Sequence, residues 1–333
     1  MAYTERQAGS PLADLVAEHA QVLSIALFLA LCCALFGAMT STFLTSGNIL
    51  NVIRQAAPVL VVAVAMTLVI TTAGIDLSVG STVALSNALV AILIAQGWGW
   101  PAATVAILVA GGLVGAAQGW FIAYQGIPAF IVTLAGLSIL RGYALWLTEG
   151  YSIPITDVPG FIWLGRGTLG GLPVPALIAA LVAAWGFVVM ARTRYGRQVV
   201  AVGSNAEAAR RVGMPARRVT ASVYVVSGMA SAIAGLLIAA RLGSGSSNAA
   251  VGFELQVIAA VVLGGTSLMG GKGSMTGTVL GAMTIAVIGN GLILAHISPF
   301  FTQIVTGAII LVAIWMNTKL FSVRLRPRKG GTS

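Results

Sequence analysis

The longest uncharged stretch of the chain decides its fold class. Residues 77–140 have the sequence LSVGSTVALSNALVAILIAQGWGWPAATVAILVAGGLVGAAQGWFIAYQGIPAFIVTLAGLSIL, 64 positions without Asp, Glu, Lys or Arg. About 20 apolar residues in a helix cross the ~30 Å hydrocarbon core of a membrane. The stretch therefore predicts about three crossings, with breaks near GWGWP (97–101) and QGIP (125–128), where Gly and Pro favour turns.

The composition of the whole chain agrees with a membrane location. Of 333 residues, 8% are charged and 58% are hydrophobic, whereas an ordinary globular protein has about 25% charged residues. So few charges cannot cover a water-soluble surface, which excludes a cytosolic enzyme or a secreted domain. Further uncharged stretches lie at 22–43, 56–75, 167–191, 219–240, 255–271 and 273–318. The predicted fold class is all-α, a polytopic membrane protein of about ten transmembrane helices, or eight if the shorter segments are re-entrant.

The basic residues are concentrated in two segments beside predicted spans. One loop holds seven arginines opposed only by Glu207, and the C-terminal tail holds five basic residues without an acid. The loop contains Arg192, Arg194, Arg197, Arg210, Arg211, Arg217 and Arg218, and the tail contains Lys319, Arg324, Arg326, Arg328 and Lys329. Basic loops stay on the cytoplasmic side, so both segments and both termini are predicted to be cytoplasmic. Such segments contact anionic membrane lipid, and no nucleic-acid partner is expected.

The chain resembles itself at an offset of about 172 residues. The matching segments are 76–80 with 248–252, 119–123 with 291–295 and, after a one-residue slip, 128–130 with 299–301. Each half then holds five spans. Because five is odd, the second half enters the membrane from the opposite side, and the pattern predicts two inverted five-helix repeats. Inverted repeats are typical of transporters.

Asp76 and Asn248 occupy matching positions in the two repeats, each shortly before a predicted helix. Both residue types cap helix N-termini by accepting backbone N–H groups, and this structural role is the favoured interpretation. An intramembrane carboxylate can also bind or carry a coupling ion. Asn248 cannot titrate, which favours the cap for the pair.

Glycines recur every four residues in two predicted helices, at Gly111, Gly115 and Gly119 and again at Gly273, Gly277 and Gly281. This spacing lines one helix face with small residues and lets helices approach closely. The pattern predicts a dense bundle, but it leaves open whether the contacts lie within one chain or between two copies.

The arginine-rich loop contains a predicted helix of its own. Ser204 and Glu207 have the spacing of a capping box, with Ser204 as the cap. Gly213 is a C-terminal stop, and a proline follows two residues later. A helix is therefore expected from about Asn205 to Val212. It either docks a cytoplasmic partner or rests on anionic lipid.

These motifs together resemble the permease subunits of ribose/xylose/galactose-type ABC importers. GIDLSVGS at 74–81 is similar to that family's GGIDLSVGS signature, with Ala73 in place of the first glycine. The loop segments RYGR, GSN and AA at 194–197, 203–205 and 208–209 resemble its loop between spans. GGTS, GGKG and GT at 264–267, 270–273 and 277–278 resemble its late glycine-rich motif. The wider group also contains branched-chain amino-acid and nucleoside permeases, and residues 74–81 favour the sugar branch.

The resemblance implies a role for the chain and for its loop. The chain would carry a monosaccharide from periplasm to cytoplasm by alternating access, across a bacterial inner membrane, as a homodimer or beside a sister permease. A periplasmic sugar-binding protein would deliver the substrate, and a cytoplasmic ABC ATPase would bind ATP and Mg. The ATPase would be coupled through Ser204, Asn205, Glu207, Arg210, Arg211 and Gly213.

The expected organisation follows from the spans and the resemblance together. It comprises a cytoplasmic segment at 1–21, the first membrane repeat at 22–147, an external loop at 148–172, the second membrane repeat at 173–318 with the coupling loop at 192–219, and a basic cytoplasmic tail at 319–333.

Residues that could contact a sugar lie near the middle of several spans. Amide side chains bind hydroxyl groups, and aromatic rings stack on the apolar face of a sugar ring. The substrate-path candidates are Asn87, Gln118, Trp120, Phe130, Tyr143, Phe253 and Asn290. Packing or hydrogen bonding between helices is the alternative for each of them. Arg141 lies well inside a predicted span and is expected to extend outward or to pair with Glu149.

The chain is not expected to be an enzyme by itself. Lys272 follows two glycines as in a phosphate-binding loop, but Thr266 replaces the first glycine of that motif and Gly273 replaces its final Ser or Thr. The histidines are isolated, and no metal-ligand cluster or cofactor site is predicted. The alternative function is an ion-coupled secondary transporter that uses Asp76.

Overall fold

A computed structural model describes residues 11–298, 301, 304–305, 307–308 and 311. Within this part the chain forms helices and four two-residue strands. The helices are α1 (Pro11–Met39), α2 (Ser46–Thr71), α3 (Val79–Ala95), α4 (Trp100–Ala123), α5 (Ala129–Thr148), α6 (Pro159–Arg166), α7 (Val174–Arg192), α8 (Arg194–Ser204), α9 (Ala206–Arg211), α10 (Ala216–Leu242), α11 (Phe253–Leu263) and α12 (Met275–Leu294). The strands are β1 (Ile153–Pro154), β2 (Thr168–Leu169), β3 (Leu172–Pro173) and β4 (Ser244–Gly245).

The helices confirm an all-α polytopic membrane protein. In the described part, seven helices are long and apolar enough to cross a membrane, namely α1, α2, α4, α5, α7, α10 and α12. Two shorter apolar helices, α3 and α11, accompany them. The helices are interrupted between α3 and α4 and between α4 and α5, at the two positions where Gly and Pro residues predicted turns. The second span predicted within 273–318 lies largely outside the described residues, and the basic tail at 319–333 lies wholly outside them.

The two halves share an order of elements. A long helix, a short one and another long one follow each other in α2–α3–α4 and again in α10–α11–α12. Equivalent contacts recur, since α10 packs along α4 and α2 packs along α12. Val59 in the middle of α2 lies beside Ile238 near the end of α10, whereas Gly74, just after α2, lies against Tyr224 in the first half of α10. Equivalent helices thus run antiparallel, as an inverted repeat requires.

Glycine contacts hold the bundle together within one chain. Gly111 and Gly115 of α4 face the backbone of Gly228 and Tyr224 of α10, and Gly119 faces Ala221. The second glycine run makes equivalent contacts. Gly277 of α12 faces the backbone of Gly264 at the end of α11, and Gly281 faces the backbone of Ala260. A side chain at these positions would separate the helices, so glycine permits the close approach.

The bundle has two distinguishable ends. The basic end carries α8 and α9, between the end of α7 and the start of α10. The far end carries the segment between α5 and α7, where α6 packs on the last turn of α10 and Arg166 Nε donates to the Arg241 carbonyl at 2.7 Å. Strand β1 pairs with β4 there, joining this segment to the chain that follows α10. Hydropathy alone predicted only an external loop at 148–172.

Candidate functional site

Two consecutive helices, α8 and α9, form the basic end. Helix α8 begins after Thr193, whose hydroxyl accepts the Gly196 N–H at 3.1 Å. Gly196 packs on the backbone of Val189 and Met190, which places α8 tightly under α7. Helix α8 was not predicted from the sequence, because its apolar run at 199–202 is short and follows Arg194 and Arg197.

Tyr195 fixes α8 to α10. Its hydroxyl is hydrogen-bonded to Ser222 Oγ at 2.7 Å. Burial raises the pKa of this phenol, while the bond to Ser222 acts in the opposite direction. The phenol is therefore neutral at physiological pH, and the tether joins the loop to the helix that follows it.

Helix α9 is the short helix expected in the loop, but its cap differs from the expectation. Asn205 is the N-cap, and its Oδ1 accepts the Ala208 N–H at 2.9 Å. Ser204 ends α8 instead and donates its hydroxyl proton to the Val200 carbonyl at 2.9 Å. The predicted capping box with Ser204 is wrong, because α8 extends through that position and leaves the next residue to begin α9.

The remaining loop residues shape α9 as a surface helix. Glu207 forms an exposed ion pair with Arg211 one turn later, and Arg210 Nε donates to the Ala206 carbonyl at 3.3 Å. Gly213 ends the segment with φ +81°, a left-handed conformation that glycine adopts without strain. The predicted stop is confirmed, and α9 lies exposed between two membrane helices.

A junction of glycines connects the loop to the membrane bundle. Gly203, at the end of α8, lies directly against the Thr71 carbonyl at the end of α2. The same carbonyl accepts the Gly271 N–H at 2.9 Å, and Gly270 contacts the Gly203 carbonyl and Ala73. Three segments from distant parts of the sequence thus meet backbone to backbone. Helix α8 is therefore in direct backbone contact with the end of α2 and with the glycine-rich turn before α12.

Asp76 joins the segment before α3 to α10. Its Oδ1 accepts the Ser78 N–H at 3.0 Å and the Ser78 hydroxyl at 2.6 Å, and its Oδ2 accepts the Ser227 hydroxyl at 2.7 Å. Gln118 of α4 is hydrogen-bonded to the same Ser78 hydroxyl. The N-cap of α3 is Ser78, two residues after Asp76, so the capping role predicted for Asp76 is wrong. Asp76 instead stabilises the turn that leads into the helix.

Asn248 does not have the capping role predicted for it. Helix α11 begins at Phe253, and its cap is Gly252 with φ +74°. The Asn248 side chain donates instead to the Gly150 carbonyl at 3.4 Å, beyond the end of α5. The segment before α11 is longer than its equivalent before α3, which moves Asn248 away from the helix start.

The polar substrate-path candidates serve contacts between helices. Asn87 donates to the Gly235 carbonyl at 3.2 Å and accepts the Ser246 N–H at 2.6 Å. Asn290 and Asn48 exchange two hydrogen bonds of 2.9 and 3.1 Å between α12 and α2. With Gln118 bound to Ser78, all three amides have partners inside the bundle. The structure therefore favours the structural alternative for them.

The aromatic candidates are distributed rather than gathered. Phe253 is buried at the start of α11, whereas Trp120, Phe130 and Tyr143 are exposed on α4 and α5. Tyr143 stacks on Trp146 with ring centroids 5.7 Å apart. Within one chain these rings do not enclose a common path.

Arg141 neither extends outward nor pairs with Glu149. Its guanidinium group donates to the carbonyls of Ser247 and Ala249 at 2.7 and 2.8 Å, and more weakly to Ala250. These carbonyls belong to the irregular segment between α10 and α11, where the backbone does not form the regular hydrogen bonds of a helix. Arg141 thus satisfies backbone groups that the membrane would otherwise leave unpaired.

The comparisons with known proteins agree with the motifs. The family described as branched-chain amino acid transport system / permease component matches residues 48–314. The chain is a member of that family. As a permease it supplies a translocation path, and the resemblance carried by residues 74–81 is confirmed.

Several relatives of this permease match over most of its length. It is 40% identical to the probable ABC transporter permease protein YphD of Escherichia coli (strain K12), over 93% of each chain. It is 36% identical to the xylose transport system permease protein XylH of the same strain, over 83% of this chain and 86% of the relative. It is 38% identical to the ribose import permease protein RbsC of Haemophilus influenzae, over 88% and 91%. No solved structure matches the permease.

Proposed function

We propose that this permease is the membrane subunit of an ATP-binding-cassette importer that carries a monosaccharide into the bacterial cytoplasm. Two relatives are named for xylose and ribose transport and match over more than four fifths of the chain. The antiparallel course of the equivalent helices α2 and α10 supports alternating access, in which one repeat moves against the other. The basic end would face the cytoplasm, since its arginines obey the positive-inside rule.

The glycine junction beneath α9 is the observation that carries the coupling part of this proposal. A separate ATPase, which binds ATP and Mg, would hold the exposed α9. Closure of two ATPase subunits would displace α9 and α8 together, because one residue, Asn205, separates them. Gly203 would pass the displacement to Thr71 and Gly271 without a flexible side chain between them. A second permease copy or sister permease completes the importer, and a periplasmic sugar-binding protein would meet the far end.

Uptake measurements test this function. Cells that lack their own pentose transporters would express the permease with its ATPase and binding protein, and [¹⁴C]D-xylose and [¹⁴C]D-ribose would be supplied as probes. We expect uptake that stops on ATP depletion and survives a protonophore. The double variant Glu207→Ala/Arg210→Ala should lose uptake while ATP hydrolysis by the purified complex continues. Arg194→Gln, an exposed arginine on α8, is the matched control and should transport normally.

The opposite pattern would support the alternative function. An ion-coupled transporter would lose uptake with the protonophore and keep it during ATP depletion. The contacts of Asp76 argue against that mechanism, because three hydrogen bonds from Ser78 and Ser227 already occupy its carboxylate. Normal transport by the double α9 variant would contradict the coupling role of α9. It would not contradict the importer function, which the ATP-depletion measurement tests separately.

A further inference from the structure

A groove opens at the far end of the bundle, between equivalent helices of the two repeats. It has a volume of about 340 Å³ and is bounded by the middle of α2, the last turn of α10 and the start of α11. Its wall includes Gln55, Val59, Arg241, Phe253 and Gln256. The volume lies in the range of about 300–1,000 Å³ that small-molecule sites occupy. Transporters built from inverted repeats bind their substrates at the interface between those repeats.

Two arginines beside this groove have charges that nothing in the described chain neutralises. Arg241 lines the groove, and Arg54 lies close enough for the two positive charges to repel each other. Within the described residues neither guanidinium group forms an ion pair or a side-chain hydrogen bond, and Arg54 Nε is buried without a partner. A partly buried, unpaired charge is costly. Arg54 and Arg241 therefore have no anionic partner in the described chain, and a bound molecule could supply one.

The acid nearest along the chain does not fill this role. Glu254 lies on α11 between the two groove residues Phe253 and Gln256, but its carboxylate points away from the groove. Its Oε2 lies directly against Gly80 of α3, and its charge acts on Arg141 of α5. The groove consequently has a cationic wall with no acid among the residues that line it.

The wall chemistry specifies the class of ligand. A guanidinium group binds a carboxylate with two parallel hydrogen bonds. The amides of Gln55 and Gln256 can donate to and accept from hydroxyl groups, and the ring of Phe253 offers an apolar surface. We propose that this groove binds a monosaccharide that carries a carboxylate, a sugar acid, as it enters the permease from the far side. The inference rests on the proposed sugar-importer function and narrows its substrate class.

A matched pair of sugars tests the inference directly. D-glucuronate and D-glucose differ only at C6, where one has a carboxylate and the other a hydroxymethyl group. Binding of each would be measured by isothermal titration to the purified permease–ATPase complex in lipid nanodiscs, without a binding protein. We expect glucuronate to bind and glucose to bind at least about tenfold more weakly, since a charge-assisted hydrogen bond is lost.

Variants locate the binding in the groove. Arg241→Gln should weaken glucuronate binding by about tenfold or more, and Arg241→Lys, which keeps the charge without the planar fork, should have an intermediate effect. Arg197→Gln, at the basic end, removes an equal charge and should bind as the unmodified permease does. Unfolding temperature without sugar checks that each variant is folded. If Arg241→Gln does not fold, Gln256→Ala in the exposed part of the wall should weaken binding by a smaller factor.

Several results would overturn the inference. They are equal affinity for the two sugars, undiminished glucuronate binding by Arg241→Gln, and a variant that loses only its affinity for a periplasmic binding protein. The last result would assign the arginines to a protein contact. ATP-driven uptake of xylose or ribose by a permease that does not bind glucuronate would leave the importer function intact while rejecting the sugar-acid site.

Discussion

At the scale of single residues, the buried polar side chains of the permease form hydrogen bonds with irregular backbone segments and with other helices. Asp76 holds the turn before α3, and Arg141 holds the equivalent segment before α11, so the two repeats use opposite charges for similar tasks. Both segments interrupt helices inside an apolar bundle, where unpaired N–H and C=O groups are costly. A buried polar side chain in this permease thus more often satisfies a backbone N–H or C=O group than it contacts substrate.

The contacts of Asp76 predict different results for two substitutions. In Asp76→Asn the remaining oxygen can accept from Ser78, and the new amide can donate to Ser227, whose hydroxyl also accepts. In Asp76→Ala all three hydrogen bonds are lost, which should cost about 1–3 kcal/mol of stability. We expect Asp76→Asn to keep near-normal unfolding temperature and ATP-driven uptake, and Asp76→Ala to lose both in part. A folded Asp76→Asn variant without uptake would show that the residue must ionise.

At the scale of elements, α4 and α10 can pack closely because glycines of α4 lie at the positions that face the α10 backbone. Gly115 faces the carbonyl of Tyr224 and the backbone of Val225, which cannot move without displacing α10. The neighbouring Gly112 faces only the flexible side chain of Met229, 3.4 Å from the position of a Cβ atom. The four-residue spacing therefore identifies the face that packs, and the glycine beside it lies off that face.

This difference gives a prediction with an internal control. Gly115→Ala should lower the stability of the purified permease by about 1–3 kcal/mol, because the added methyl group overpacks a backbone contact. Gly112→Ala should be neutral or slightly stabilising, since alanine is the better helix former. Thermal unfolding in a mild detergent measures both. Equal losses for the two variants would contradict the contact between α4 and α10.

At the scale of the whole molecule, the antiparallel course of α2 and α10 gives the permease two unlike ends built from related halves. The basic end joins α8 and α9 to the bundle, and the far end carries the arginine-lined groove and α6. In the proposed cycle the ATPase acts at one end and the solute enters at the other. In that cycle the inverted repeat would let motion at the basic end open or close the far end.

Labelling of single cysteines can test the placement of these ends on opposite sides of the membrane. In a chain with Cys32 and Cys33 replaced by serine, Tyr151→Cys adds a thiol at the far end and Val212→Cys adds one at the basic end. Both positions are more than 70% exposed. A membrane-impermeant maleimide should label Tyr151→Cys in intact cells, and Val212→Cys only after lysis. Labelling of both from the outside would refute the orientation.

The sequence by itself determined the membrane location, the positions of most helices, the repeat and the family. Each of these depends on a local property, such as the length of an uncharged stretch, the spacing of glycines or a short motif. Only the tertiary structure decided which polar groups meet, as with the Asn48–Asn290 pair and the carbonyls held by Arg141. An amide or guanidinium group can bind many acceptors, and the packing of helices distant in sequence selects among them. The cap of α9 is Asn205 because α8 extends through Ser204, and Asn248 lies away from the start of α11 because the segment before that helix is longer than its equivalent before α3.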